Sequence, residues 1–313
     1  MKKFLTLILS LCMVSSLFLA GCSKKQNEEQ KNTVSNTTSY QNNDLLVDAD
    51  WLKDNLDKGI VIIDARDDKS YSKDHIQGAI FSAWQPFTDM EGKKMGDKGW
   101  GVLLEPAKLS QAISKLGIDA DKTVVLYSSA PNGWGEDGRI AWTLKSAGIK
   151  KVKLLNGGYK AWKDKNYPTD SNVPSVVPSN FKVSNLDNSL NVTTEYIKNN
   201  INKLKIIDVR EAEEYNGATK YGEKRGGHIP NAINITWSQL LNSDGTVKSQ
   251  KDIESLLTSK GISKEDEIVT YCTKGIRSAH MSLVLNMAGY TKAKNYDASF
   301  YEWAGDSQLE VVK

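Results

Sequence analysis

Residues 268–280 read IVTYCTKGIRSAH, and this stretch decides the fold. Its apolar, β-branched run Ile268–Tyr271 predicts a buried strand. Apolar residues recur at helical spacing beyond Gly275 and stop at Gly289, so we expect a helix after a short loop. Cys272 therefore lies at a junction of strand, loop and helix, where backbone N–H groups and the positive helix end favour an anion.

The thiol of Cys272 is predicted to be reactive. Lys274 and Arg277 follow it within five residues, and nearby cations lower a thiol pKa and favour the reactive thiolate. The other two cysteines, Cys12 and Cys22, belong to the N-terminal apolar stretch. Cys272 then has no disulfide partner in the mature fold, and the chain has no Cys-x-x-Cys pair. The alternative is an inert buried cysteine, which the two flanking cations disfavour.

Residues 1–22 are predicted to be a lipoprotein signal peptide. Two lysines precede a mostly apolar run over residues 4–20, and the segment ends in LAGC at residues 19–22, which is typical of a signal sequence. This ending resembles a bacterial lipobox, which makes Cys22 the expected lipidation site and first mature residue. An uncleaved membrane anchor is the alternative, although the run is short for a span. Both interpretations place the protein at the cell membrane on its extracytoplasmic side.

The composition excludes several classes of function. Residues 23–43 are polar and predict a flexible tether, and the remaining chain is long enough for two domains. The net charge is only +3, with no basic block, so no nucleic-acid partner is expected. Three scattered histidines offer no ligand cluster, so neither a metal nor another cofactor is expected.

An ordered pattern occurs twice along the chain, and its period exceeds that of solenoid repeats. The pairs are IIDAR at 62–66 with IIDVR at 206–210, DHIQGAI at 74–80 with GHIPNAI at 227–233, VVLYS at 124–128 with IVTYC at 268–272, and LNGGYKAW at 155–162 with YDASFYEW at 296–303. We therefore predict two domains of one fold, 44–172 and 188–313, joined by a linker over 173–187. Short apolar strands alternate with helical patterns, which indicates the α/β class, with a parallel sheet and helices on both faces in each domain.

The first copy is predicted to be catalytically silent. It has Ser128 where the second copy has Cys272, and a serine hydroxyl is not ionised near neutrality. Glu136 and Asp137 follow and would disfavour an anion, so this copy is expected to be structural and to close one wall of the site. A serine hydrolase is the alternative, but the G-x-S-x-G elbow is missing.

With this repeat, the chain resembles the rhodanese family of sulfurtransferases in its tandem two-domain form, over nearly all of residues 44–313. The motifs that carry the resemblance are DVR at 208–210, GHIP at 227–230, CTKGIR at 272–277 and YD at 296–297. The resemblance implies that Cys272 takes the outer sulfur of a donor and passes it, as a persulfide, to a thiol or cyanide acceptor.

The loop after Cys272 is the expected binding site for a small anionic donor such as thiosulfate. Backbone N–H groups would cradle the persulfide anion, Lys274 would bind the donor and Arg277 would close the loop. The expected substrate-binding residues are Thr273, Lys274, Gly275, Ile276 and Arg277. The expected supporting residues are Asp208 and Arg210, as an ion pair, and His228, through a structural hydrogen bond. The aromatic residues Trp237, Phe300, Tyr301 and Trp303 are expected in the core or between the domains.

Two departures from the family pattern concern the donor. Thr273 stands where thiosulfate enzymes of the family carry arginine, and Glu214 stands where some members place a substrate-binding arginine. The loop also differs from the Cys-Gly-Ser-Gly of the mercaptopyruvate type. We expect a preference for thiosulfate over mercaptopyruvate, because a small dianion gains most from Lys274 and Arg277 and from the helix N-terminus behind the loop.

Three other classes of protein are alternatives. A phosphatase of related fold needs five residues between its cysteine and arginine, and here four separate Cys272 from Arg277. A cysteine hydrolase needs a nearby histidine, and His280 lies eight positions further along a helix, which is about 12 Å by rise alone. A non-enzymatic persulfide carrier or adaptor lipoprotein stays open, and turnover with small donors would distinguish it from an enzyme.

Overall fold

The computed structural model describes residue 40 and residues 43–313. The signal peptide predicted for residues 1–22, with its lipidation site at Cys22, lies outside the described residues, as does most of the tether. No helix within the described part is long and apolar enough to cross a membrane.

The first copy of the repeat is built on a parallel sheet. Its strands are β1 (Leu46–Val47), β2 (Val61–Asp64), β3 (His75–Ile76), β4 (Ile80–Phe81), β5 (Thr88–Asp89), β6 (Val102–Leu103), β7 (Val124–Tyr127), β8 (Val152–Leu155) and β9 (Thr169–Asp170). Its helices are α1 (Ala49–Lys53), α2 (Asp68–Lys73), α3 (Pro106–Ser114), α4 (Glu136–Ser146) and α5 (Gly158–Asp164), with a 3₁₀ turn at Gln85–Phe87. Five strands pair in the order β1-β8-β7-β2-β4, and β3 with β9 and β5 with β6 form short antiparallel pairs.

The second copy has the same strand order. Its strands are β10 (Asn191–Val192), β11 (Lys205–Asp208), β12 (Ile233–Asn234), β13 (Ile268–Tyr271) and β14 (Ala293–Tyr296). Its helices are α6 (Thr194–Asn200), α7 (Ala212–Tyr215), α8 (Gln250–Ser259), α9 (Ile276–Met287) and α10 (Ser299–Gly305), with 3₁₀ turns at Asn188–Leu190 and Trp237–Leu240. The parallel sheet runs β10-β14-β13-β11-β12, strand for strand the order of the first sheet. The prediction of two α/β domains with parallel sheets is confirmed.

Helices cover both faces of each sheet. Successive residues of a strand point to opposite faces, so neighbouring apolar residues pack against different helices. In the first copy, Ile62 belongs to a buried cluster with Leu52 of α1 and Trp162 of α5. The next residue, Ile63, belongs to a different cluster with Ile140 of α4. The continuous apolar run of the strand is therefore explained by burial on both sides.

The second copy is covered in the same way. Ile206 lies in a cluster with Ile197 of α6 and Phe300 of α10, whereas Ile207 lies in the cluster that also contains Ile63 and Ile140 of the first copy. One face of each sheet thus contributes to a core that the two domains share, and the domains form one compact unit.

Helices α4 and α9 pack against each other where the two domains meet. Gly138 of α4 lies against His280 of α9, and a Cβ atom at residue 138 would come within 2.4 Å of the His280 Cβ. Real Cβ contacts do not reach this distance, so only glycine fits without moving one helix away from the other.

Residues 173–187, the predicted linker, contain no helix or strand. They lie along the first copy through backbone hydrogen bonds: the Ser179 N–H donates to the Ser114 carbonyl at 2.9 Å, and the Val183 N–H donates to the Ser110 Oγ at 2.9 Å. The connection between the domains is therefore attached to α3.

Candidate active site

Cys272 follows β13 directly and is 1% exposed, at the base of a cavity of about 240 Å³. Its N–H donates to the Ser299 Oγ at 3.2 Å, and its carbonyl accepts from the Phe300 N–H at 3.0 Å. These bonds join the ends of β13 and β14, so the cysteine lies at the carboxyl edge of the sheet, where parallel α/β sheets bind their ligands. The predicted strand Ile268–Tyr271 and the helix that follows the loop are both present.

Gly275 turns the loop into α9. It caps the helix with φ +77°, a left-handed conformation that glycine adopts without strain. A Cβ atom there would also meet the Asp297 carbonyl oxygen at 2.6 Å and the Arg139 Nη1 at 2.9 Å. Both conformation and space therefore require glycine at this position.

The pKa of the Cys272 thiol is lowered below its ordinary value. Burial raises this pKa, but the positive charge of Arg277 and hydrogen bonds from the backbone N–H groups of Ser278 and Lys274 outweigh it. The Ser278 Oγ lies 3.7 Å from the Cys272 Sγ and 2.7 Å from the Asn295 Oδ1. A hydroxyl carries one proton, so it can donate to only one of the two at a time. The site favours a thiolate.

Arg277 is bound by a carboxylate of the protein. Its Nη1 donates to the Glu214 Oε2 at 2.7 Å and its Nη2 to the Glu214 Oε1 at 2.8 Å, and the Thr273 Oγ1 lies 2.8 Å from Nη2. The Thr273 hydroxyl also donates to the Glu214 Oε1 at 3.0 Å. Burial raises the pKa of Glu214, but Arg277 outweighs this and holds it below its usual range. The charge of Arg277 is therefore largely compensated inside the protein.

The first copy supplies one wall of the cavity. Trp84, Trp134 and Glu136 line it together with the loop after Cys272. The Lys274 Nζ lies 5.2 Å from the Trp84 ring centroid, and the guanidinium carbon of Arg277 lies 5.0 Å from that of Trp134. Both distances allow attraction between cation and ring, so two tryptophans of the first domain cover the two cations of the second.

A longer segment of the second copy supplies the opposite rim. His75 lies nine positions after Arg66, whereas His228 lies eighteen positions after Arg210. The added residues bring Tyr221 to the cavity, where the Tyr301 hydroxyl donates to its carbonyl at 2.7 Å. The segment is held by an arginine that donates to carbonyls at the end of α10. The donor is Arg225, and the acceptors are Trp303, Ala304, Asp306 and Leu309.

The residues predicted as supports form a buried network that does not reach the cavity. Arg210 donates to both carboxylate oxygens of Asp208 and to the Gly227 carbonyl, and the Tyr271 hydroxyl donates to Asp208 at 2.6 Å. The His228 Nδ1 lies 3.0 Å from the Tyr215 carbonyl oxygen.

The first copy contains the same network although it lacks the cysteine. Arg66 and the Tyr127 hydroxyl both bond Asp64, and the His75 Nδ1 lies 2.9 Å from the Tyr71 carbonyl oxygen. Because the arrangement is present with and without a thiol, it supports the fold.

Ser128 is buried after β7, in the position of Cys272, and α4 also begins after a left-handed glycine, Gly135. Asp137 occupies the position of Arg277, two residues beyond that glycine. Burial raises the pKa of Asp137 to about 6, against hydrogen bonds from the Gly138 N–H and from Ser128. This site therefore has an acid where the second copy has its arginine.

The remaining candidate groups lie elsewhere. Among the described residues, no histidine lines the cavity, and no cluster of three or more His, Cys, Asp or Glu side chains could hold a metal. His280 packs edge-on against Trp237 at 5.3 Å, and burial lowers its pKa to about 4.

Five residues that line the cavity were not assigned to the site from the sequence. One of them, Glu136, was expected only as an acid that follows Ser128 in the first copy. Trp84, Trp134 and Tyr221 were missed, and Tyr301 was expected in the core or between the domains. The only sequence signal for any of them was the longer segment between Arg210 and His228, which contains Tyr221. Its length does not indicate that the segment lies at the cavity.

Comparisons with known proteins agree with this architecture. The sequence model of the rhodanese-like domain matches residues 48–165 and again residues 193–306. The chain is 33% identical over 289 residues to the sulfur carrier protein TtuD of Thermus thermophilus, covering 88% of this chain and 98% of that protein. It is 34% identical over 270 residues to a provisionally named thiosulfate sulfurtransferase 1 of Mycobacterium bovis, covering 83% and 94%.

A solved structure shares the fold. The anaerobic ergothioneine biosynthesis enzyme from Chlorobium limicola, in complex with trimethyl histidine, superposes with a TM-score of 0.74 at 23% identity, over 86% of this chain and 70% of that one. With both halves matched by one family, a shared strand order and relatives similar over most of their length, the chain belongs to the rhodanese family, as a tandem of two rhodanese-like domains.

Proposed function

We propose that this protein is a sulfurtransferase that moves a sulfane sulfur from thiosulfate to a thiophilic acceptor through a persulfide on Cys272. The thiolate attacks the outer sulfur of thiosulfate, a new S–S bond forms, and sulfite leaves with the electron pair of the broken bond. A thiolate or cyanide then attacks the outer sulfur of the persulfide, and the Cys272 thiolate leaves. The lowered pKa of the Cys272 thiol favours the thiolate, so the proposed mechanism needs no general base.

The observation that carries the proposal is a buried thiol of lowered pKa at the base of a small cavity. The backbone N–H groups of Lys274 and Ser278 stabilise its negative charge, and they would stabilise a persulfide anion in the same way. The proposed domains, 44–172 and 188–313, extend the matched segments by a few residues, and the chemistry belongs to the second.

Thiosulfate is the proposed donor because the cavity offers Lys274 and the N-terminal end of α9 to an anion. Lys274 is the more important of the two predicted cations, since Arg277 is already paired with Glu214. The proposed site residues are Cys272 as nucleophile and the loop from Thr273 to Arg277 as the binding surface.

Intact-mass analysis after thiosulfate treatment tests the proposal. The full-length protein should gain one sulfur atom on Cys272 and release an equal amount of sulfite, and cyanide should then remove the sulfur. The Cys272→Ala variant should do neither. Sulfur transfer that persists in this variant would overturn the assignment.

The second candidate is a persulfide carrier that loads sulfur for a partner and does not turn over small donors. The similarity to a protein named as a sulfur carrier favours it. A single loading event with thiosulfate, without repeated sulfite release in the presence of excess cyanide, would identify a carrier.

We also propose that the mature protein begins at a lipidated Cys22 and is anchored to the cell membrane on the extracytoplasmic side. The proposal is supported by LAGC at residues 19–22 and by the polar tether that follows. The Cys22→Ser variant should accumulate as a precursor or leave the membrane fraction. Unchanged size and membrane partition would contradict lipidation.

A further inference from the structure

Arg139 connects the first domain with the loop that holds Cys272. It lies in α4 and is fully buried. Its Nη1 donates to the carboxylate of Asp297 and to the Gly275 carbonyl at 3.3 Å, and its Nη2 donates to the Gly101 carbonyl at 3.3 Å. Gly275 and Asp297 belong to the second domain, so a guanidinium of the domain without a cysteine binds the site of the other.

Both partners flank Cys272. Gly275 ends the loop that begins at the cysteine, and Asp297 follows β14, two residues before Ser299, whose Oγ accepts the Cys272 N–H. The second Asp297 oxygen accepts the Leu103 N–H at 2.8 Å. The Arg139 guanidinium therefore binds the loop at its end, through Gly275. It also binds the residue after β14, the strand whose end supports the loop at Cys272.

The position of α9 that is equivalent to Arg139 holds no arginine. Arg139 is the fourth residue after Gly135, and the fourth residue after Gly275 is Ala279. Helices α4 and α9 occupy equivalent positions in the two copies. Because α4 has an arginine at this position and α9 has an alanine, an arginine at this position reaches across the domain boundary only from the first domain to the second. The first copy, which lacks the cysteine, therefore contributes the arginine that contacts the second copy.

We propose that Arg139 is a positioning residue for sulfur transfer, which fixes the Gly275 peptide and thereby the loop of N–H groups around Cys272. This inference rests on the proposed function for its consequence in turnover. A guanidinium suits the role, since its Nη1 binds the Gly275 carbonyl and the Asp297 carboxylate while its Nη2 binds the Gly101 carbonyl of the first domain. A lysine ammonium has three donors on one nitrogen, so it could replace the bonds of Nη1 but not also the bond of Nη2 to the Gly101 carbonyl.

The alternative is a purely structural ion pair between the domains. A buried pair is weak evidence for stability, because desolvation offsets much of the attraction. The Nε of Arg139 also has no hydrogen-bond partner among the described residues, which adds to the cost of burying it. A structural role predicts a change in unfolding only, whereas a positioning role predicts a change at the thiol.

The test follows alkylation of the Cys272-containing peptide of the full-length protein by iodoacetamide across a pH series. Arg139→Met should slow alkylation roughly tenfold near pH 6, which corresponds to a rise of about one unit in the thiol pKa. The kcat for sulfur transfer should fall with it while KM changes little, and Arg139→Lys should restore part of both.

Arg66→Met is the matched control. Arg66 is a buried arginine of the same domain, and its bonds to Asp64 and to the Asp74 carbonyl stay within that domain. The control should lower stability and keep the alkylation profile of the parent. Arg139→Met/Asp297→Asn removes both charges of the pair together, in case the single variant does not fold.

A folded Arg139→Met protein with the parent's alkylation profile would overturn the inference. So would failure of both the single and the double variant to fold, because Arg139 would then act on folding and not on the loop. If the parent shows no sulfur transfer while the profile still shifts, the proposed function fails and the positioning role stands.

Discussion

Glu214 and Arg277 form a bidentate ion pair at 2.7 and 2.8 Å, and both side chains are buried beside Cys272. The pair has two effects on the site. Glu214 compensates most of the positive charge that Arg277 would otherwise offer to an anionic donor. It also holds the guanidinium in a position where Arg277 lowers the pKa of the Cys272 thiol. We therefore expect Glu214 to influence the preference for donors, although it does not line the cavity.

Replacing Glu214 with glutamine should expose this trade-off. Glu214→Gln leaves the buried guanidinium without its counter-charge, so the free energy of unfolding should fall by about 3 kcal/mol. The KM for thiosulfate should fall several-fold, because Arg277 then attracts the dianion. Urea unfolding and steady-state kinetics measure the two effects. The neighbouring Glu213→Gln, at an exposed position, is the control and should change neither.

Replacing Ser128 with alanine should leave turnover nearly unchanged. The serine hydroxyl is buried in the first domain, where Asp137 stands in place of the arginine, so no anion is stabilised there. Sulfur-transfer kinetics with thiosulfate and cyanide measure the outcome. A loss of several orders of magnitude in a folded Ser128→Ala protein would refute the view that this domain contributes no chemistry.

Replacing Lys274 with alanine should raise the KM for thiosulfate roughly tenfold, if about 1.4 kcal/mol of charge-assisted binding is lost. Added salt should weaken thiosulfate use in the parent and have less effect in the variant. Lys260→Ala, at an exposed position on α8's end, provides the matched control. The donor assignment is wrong if Lys274→Ala handles thiosulfate as well as the parent does, or if mercaptopyruvate proves the better donor.

Asp137 should make the stability of the protein depend on pH. Its pKa rises from 3.8 in the unfolded chain to about 6 in the fold, so the native state favours the protonated form. This stabilisation is complete below about pH 3.8 and is lost as the pH rises through 6, which amounts to about 3 kcal/mol. Asp137→Asn imitates the protonated carboxyl.

The Asp137→Asn protein should therefore match the parent near pH 4 and exceed it in stability near pH 7. Urea unfolding at a series of pH values measures the difference. The exposed Asp121→Asn serves as the control. A difference that stays constant from pH 4 to 7 would show that the raised pKa does not contribute to folding.

The sequence was sufficient to predict the features that depend on local pattern. The β-branched run before Cys272 and the helical spacing after Gly275 gave the strand, loop and helix, and the repeat gave two domains of one fold. The position of the thiol at the edge of a parallel sheet follows from these alone, because ligand sites in such sheets lie beyond the strand ends.

The contacts between distant segments could not be predicted in this way. Glu214 and Arg277 are 63 residues apart, and Arg139 is 136 residues from Gly275. Periodicity says which face of an element is buried, but it does not say which other element covers it. The tryptophans that cover Lys274 and Arg277 were missed for the same reason, since they come from the other domain.

The contact between Gly138 and His280 has a consequence for the size of substrates. The cavity lies at the N-terminal ends of α4 and α9, with Trp134 and Glu136 at the start of one helix and Ile276 at the start of the other. Because residues at the starts of both helices line the cavity, we expect the distance between the helices to influence its width, and Gly138 allows that distance to be short. A methyl group at residue 138 would separate the helices and admit bulkier sulfur donors. We therefore expect the size of the accepted donors to depend on Gly138, although this glycine does not line the cavity.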